Sequence, residues 1–206
     1  MPLPAPVIFT IKGFLIGLAI AMPVGPIGVL CIRRTLVAGR LSGLVSGLGA
    51  ATADAVYGAA AAFGLTAASR LLVAQQAALR AVGGLFLLYL GVKALRARPP
   101  GAGSAVEVGR RAADYLSTFA LTLANPRTIV SFAAIFAGLG MGTASGRYLD
   151  SLALVVGVFA GSAAWWLVLA SAVDLTRRRA SEGLLRWANL AAGLLICLFG
   201  LLALAG

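Results

Sequence analysis

The first residue of this sequence that could do chemistry is a carboxylate in the middle of an apolar run. Asp54 lies within Leu48-Gly49-Ala50-Ala51-Thr52-Ala53-Asp54-Ala55-Val56-Tyr57-Gly58. A carboxylate at the centre of a bilayer is costly, so it is protonated, faces a wet cavity or has a cationic partner. Exchange between such environments could couple proton movement to transport. The plainer reading is a carboxyl that only hydrogen-bonds a neighbouring helix. Arg127 is the evident cation within an apolar stretch. Because guanidinium grips carboxylates bidentately, it could hold a solute carboxylate or neutralise Asp54. It could equally snorkel to the interface if its span ends beside it. Asn125 supplies a donor and an acceptor, or caps a broken helix. Tyr57, Trp165 and Trp166 could line a solute path, with core packing or interfacial placement equally open for each.

Prolines set the backbone around these side chains. Met22-Pro23-Val24-Gly25-Pro26-Ile27-Gly28 interrupts one apolar run and Asn125-Pro126-Arg127 interrupts another. Proline lacks an N–H and clashes with the preceding turn, so it kinks or breaks a helix. Freed carbonyls and amides survive in hydrocarbon only where protein or a water-filled cavity covers them. Pro23, Gly25 and Pro26 are therefore expected to unwind one helix and Pro126 a second, opening backbone groups to a solute. Ordinary kinks are the alternative.

The elements that would position these residues follow from composition. Of the 206 residues 61% are hydrophobic and 11% charged, with a mean hydropathy of +0.99. Soluble domains carry about 25% charged residues, so most of this surface must meet lipid. The chain has no histidine, which removes histidine-based metal and haem sites. Cys31 and Cys197 lie in apolar segments without a C-x-x-C partner and read as small hydrophobes packed in helices. No cofactor or metal is expected. The net charge of +11 comes with no nucleic-acid motif, and nucleic acid is not an expected partner.

Spans need about 20 mostly apolar residues. Six runs qualify: Val7 to Ile32, Leu41 to Ala68, Ala77 to Leu95, Tyr115 to Gly140, Leu149 to Val173 and Leu184 to Ala205. Twelve of the 17 basic residues fall in the first, third and fifth connections, Arg33, Arg34 and Arg40 among them. By the positive-inside bias those loops face the cytoplasm and both termini face outward. Ala19-Ile20-Ala21 offers a crude signal-peptidase site. The start of the chain lacks a basic segment and the apolar run continues past Ala21, so the first span is expected to be retained. Lys12 reads as an interface residue. Asp114 reads as the start of the fourth helix, where a negative charge suits the positive dipole end.

The polar stretch 96–113, with Pro99-Pro100-Gly101, splits a single transmembrane domain (1–206) into spans 7–95 and 114–206. Each half has a proline break in its first span. Asp54-Ala55-Val56-Tyr57 in the second span is echoed by Ser162-Ala163-Ala164-Trp165 in the fifth. Three spans per half is odd, so the second half must be inverted relative to the first. Inverted repeats with interrupted helices near the midplane are a recurring transporter architecture. The expected fold is an all-α polytopic membrane protein of about six helices, two inverted three-helix repeats with broken first and fourth helices. Glycines four apart, at 39, 43 and 47 and at 157 and 161, allow close helix contact, within a compact bundle or in a homodimer.

Met22-Pro23-Val24-Gly25-Pro26, the glycines from Gly39 to Gly49, and Asp54 together resemble the lysine exporter (LysE/RhtB) family of bacterial amino-acid effluxers. Asn125-Pro126-Arg127 is similar to that family's Asn-Pro-Lys motif, with arginine in place of lysine. The resemblance covers essentially the whole chain. It implies a secondary transporter in the bacterial inner membrane that exports amino acids or close derivatives, driven by protons or membrane potential. No covalent chemistry is implied, so an enzyme is not expected. An ion or metal exporter of similar architecture would want several ligands converging at mid-membrane, and Asp54 is the one clear carboxylate there.

Overall fold

A computed structural model describes residues 3–63, 74–96, 108–125, 128, 130–132 and 148–205. Among them all regular structure is helical. The helices are α1 (Ala5–Ala21), α2 (Pro26–Ala38), α3 (Arg40–Ala62), α4 (Gln76–Arg96), α5 (Val108–Leu123), α6 (Tyr148–Arg179) and α7 (Glu182–Ala205). Residues 128 and 130–132 are helical beyond the end of α5.

The chain is a membrane protein by its helices. Each of α4, α6 and α7 is long and apolar enough to cross a bilayer, and α1 with α2 forms a fourth apolar stretch bent by 80°. The bend falls where Pro23 and Pro26 leave no helical amide to continue the ladder. Pro26 then occupies the first turn of α2, where its missing N–H is not needed. With 23 residues α3 is long enough, but serines, glycines and Asp54 dilute it. Most of these face inward, since Ser42, Gly43, Ser46, Gly47 and Asp54 are all buried. The composition of α3 thus reflects a central place in the bundle. Apolar side chains such as Leu15, Val82, Leu85, Val156 and Leu201 are exposed on the outer helices, as a lipid-facing surface requires.

Close approaches fix the helix directions. A Cβ on Gly13 or Gly17 would run into the backbone of Leu154 or Val158, and one on Gly157 or Gly161 into that of Thr10 or Phe14. The numbers rise together, so α1 and α6 are parallel and in backbone contact. On α3, Ser42 bonds Asp114 and Tyr57 bonds Leu123, so α3 and α5 are also parallel. Asp54 meets Ser162, and Ala62 meets Ser151, so α3 runs antiparallel to α6. Gly84 packs on Gly200 and Gly91 on Cys197, so α4 and α7 are antiparallel. The four-residue glycine spacing is thus used inside one chain.

Two expectations are corrected. Arg33 and Arg34 are not loop residues. The helix runs on to Ala38, and the first connection is Gly39 alone, at a φ of +88° that a side chain would strain. Asp114 does not begin its helix. It lies well inside α5 and pairs with Arg34, Nε to Oδ1 at 3.1 Å, so a partner rather than the helix dipole explains it.

Candidate functional site

Both helix breaks and Asp54 border one cavity. A cavity of about 60 Å³ is lined by Pro23, Gly25 and Pro26 from the first break, by Asn125 from the second and by Asp54 from α3. Thr122, Thr128, Trp166 and a few apolar side chains complete the wall. The volume suits a few water molecules and is well below the ~300–1,000 Å³ of ordinary small-molecule pockets.

Asp54 is 3% exposed. Its Oδ2 accepts a hydrogen bond from the Ser162 hydroxyl at 2.7 Å. Ser162 is in turn held by Trp166, whose Nε1 donates to the Ser162 oxygen at 3.2 Å. The carboxyl is therefore oriented by a neutral chain from α6. Arg127, a candidate above for the cationic partner of Asp54, for the solute carboxylate or for snorkelling, lies outside the described residues, as does Pro126. The buried arginine that the structure does describe, Arg34, serves Asp114 instead.

The start of α2 borders the same cavity as Asp54. Gly25 precedes it in extended conformation, no side chain caps it, and no acidic residue sits in its first turn. The first amides of a helix have no partner within it, and they carry the positive end of the dipole. Ile27 and Gly28 of that turn line the cavity. One wall thus offers a carboxyl, while another offers backbone donors suited to a negative group. A Cβ built on Gly25 would meet nothing within 4 Å.

At the second break α5 ends at Leu123. Tyr57 is not in the cavity wall; its hydroxyl donates to the Leu123 carbonyl at 2.5 Å. Its ring stacks on Phe132, with centroids 5.5 Å apart. The tyrosine thus satisfies a carbonyl at the end of α5 and braces the segment beyond. Asn125 accepts at its carbonyl from the Thr128 amide at 3.1 Å.

Two sets of polar contacts are not evident from the sequence. Ser162 was present only as the echo of Asp54. The other set surrounds Arg34, which donates to Ser46 at 2.9 Å, to the Asp114 carbonyl at 2.8 Å and to the Thr118 hydroxyl at 2.7 Å through one nitrogen, and to Ser117 at 2.7 Å through the other. Ser42 donates to Asp114. Four-residue spacing of Ser42 and Ser46, and of Asp114, Thr118 and Thr122, places each set on one helix face, and that periodicity was the available signal.

A family profile described as LysE type translocator matches residues 18–206. The chain is 30% identical over 193 residues to the protein named "Putative amino acid efflux protein YcgF" of Bacillus subtilis (strain 168), covering 90% of each chain. No solved structure matches.

Proposed function

The chain belongs to the LysE type translocator family, and on that premise we propose that it exports amino acids or close derivatives across the bacterial inner membrane through the cavity beside Asp54. The observation that carries this reading is the convergence of two helix breaks and a buried carboxyl on one cavity. An amino acid has one positive and one negative group. Asp54 suits the ammonium, and the first-turn amides at the start of α2 suit the carboxylate. Pro126 and Arg127 contribute from the second half, with Arg127 on the solute carboxylate or beside Asp54. Export is driven by the proton gradient or the membrane potential, with Asp54 as carrier of the coupling proton or partner of the solute amine. A metal exporter would want more ligands than the single carboxylate in the described wall.

The same reading takes 7–95 and 114–206 as inverted repeats. In such a repeat the first span pairs with the fifth as the fourth does with the second, and directions alternate. The parallel pairs α1–α6 and α3–α5, with antiparallel α4–α7 and α3–α6, support that scheme. So does the contact of Asp54 with Ser162, since matched residues meet where a twofold axis passes. The basic ends of α2 and α6 then face the cytoplasm and both termini face outward, which a reporter fused after Gly206 would test.

The test is efflux of labelled amino acids and dipeptides from loaded cells, wild type against Asp54→Asn. At least one solute should leave faster with the wild type and lose that advantage in the variant. No faster efflux for any solute would overturn amino-acid export. Unchanged efflux from Asp54→Asn would overturn the role of Asp54 while leaving the family activity standing.

A further inference from the structure

The 13-residue helix α2 is built unlike its neighbours. It is bounded by Gly25, whose Cα faces open space, and by Gly39, the one described residue with positive φ. Its first turn lines the cavity, and its far end is tied to its neighbours by polar side chains, besides packing Thr35 onto Gly43 of α3. Arg34 reaches α3 and α5 through Ser46, Ser117, Thr118 and Asp114. Arg33 donates to Asn189 of α7 at 2.8 Å, and the Leu36 carbonyl accepts from Arg177 of α6 at 2.9 Å. By contrast α1, just before it, is locked to α6 by glycines on both helices.

We propose that α2 is the inner gate of the transporter, a rigid segment hinged at Gly25 and Gly39 and latched shut by Arg34 on Asp114. This rests on the reading of the chain as an exporter whose basic ends face the cytoplasm. On α3 the latch at Ser46 lies eight residues from Asp54, about 12 Å along the helix. Buried Leu30, Ala50 and Leu121 belong to the core between these two levels. A solute coming from the basic side must cross that layer, and α2 is the wall that can move. Hinges absorb their change in a few backbone positions while the segment between them stays rigid. Swinging α2 would withdraw Leu30 from the layer and carry its first turn, one wall of the cavity, with it. Polar side-chain ties have discrete made and broken states, whereas the α1–α6 backbone seam has no comparable alternative. Opening needs the guanidinium to leave Asp114, and a polar, wet entrance would supply replacement partners for both charges.

The protein carries its own reporter. Cys31 lies three residues before Arg34, on the same face of α2, and is 2% exposed. Cys197 sits on α7 against Gly91 of α4, away from the latch. The experiment is labelling of the full chain in lipid nanodiscs with a charged methanethiosulfonate, each cysteine quantified by peptide mass. Asp114→Asn should raise the Cys31 rate by about tenfold or more, because labelling follows the open fraction. Cys197 should stay within about twofold of the wild type, since it packs against Gly91 of α4, away from the latch. Asp114→Glu, which keeps the charge, should stay near the wild-type rate at both. An unchanged Cys31 rate in Asp114→Asn would overturn the gate. So would a parallel rise at both cysteines, because that is the signature of a pair that merely holds the bundle together. Should Asp114→Asn fail to fold, Ser46→Ala removes one acceptor of Arg34 and should raise the Cys31 rate severalfold, with no rise overturning the proposal. Labelling uses no solute, so its outcome stands apart from the efflux test.

Discussion

Asp54 and Asp114 are both buried aspartates facing the same central helix bundle, yet their company differs. Asp114 is held by a guanidinium and a serine, with α2, α3 and α5 all contributing. Asp54 has one described partner, the neutral hydroxyl of Ser162, and a cavity on its other side. A buried charge that is fully paired is committed to its partners. A buried carboxyl with one neutral hydrogen bond and room beside it keeps binding capacity for something not yet there. On the function proposed above, the difference separates a residue that holds the present conformation from one that acts on a solute.

Truncating Asp114 should have the largest effect on stability. Asp114→Ala leaves Arg34 buried without its counter-charge, a loss of about 3–5 kcal/mol, read as a drop in thermal unfolding in detergent. A loss under ~1 kcal/mol would mean that water already reaches the pair, and the contrast with Asp54 would collapse. Tyr57→Phe comes next. It strands the Leu123 carbonyl at the end of α5, at a cost of about 1–3 kcal/mol. Efflux should survive in part, because the tyrosine braces the break without lining the cavity.

The same contrast shows what could be read in advance. The broken first span was legible because Pro23 and Pro26 act locally, whatever surrounds them. Asp54 was legible because a carboxylate amid alanines and glycines has few explanations. Arg33 and Arg34 read as loop residues because a charge at the end of an apolar run looks the same in a loop as inside a protein. What buries Arg34 is a set of acceptors 12 to 84 positions away, and only the tertiary fold assembles them. The hydrogen bond of Tyr57 is hidden in the sequence for a similar reason, since its partner carbonyl is within reach only once α5 has ended beside it. Ser162 was visible as an internal echo of Asp54, but nothing in an echo says that the two copies touch.

Asp54→Asn sharpens the comparison from the other side. The amide keeps the shape and can still accept from Ser162, so stability should move by less than about 1 kcal/mol. Efflux should fall sharply, because neither a proton nor an ammonium can use the amide as it uses a carboxylate. Asp114→Ala would lower stability first and Asp54→Asn efflux first, and finding the two profiles alike would end the distinction.

The smallest structural effect is expected at Gly25. Its φ of −111° and ψ of −160° are open to any residue, and a residue before proline favours extended backbone. Its added Cβ would meet nothing within 4 Å. Gly25→Ala should therefore be neutral or stabilising by up to about 1 kcal/mol, through a stiffer unfolded chain. Nothing in this conformation requires glycine there. Any requirement must come from another conformation or from a solute close to the backbone, and both concern transport alone. Efflux should then fall in Gly25→Ala while unfolding temperature holds. Full efflux would show that position 25 neither turns as a hinge nor meets the solute, leaving Gly39 as the sole flexible end of α2.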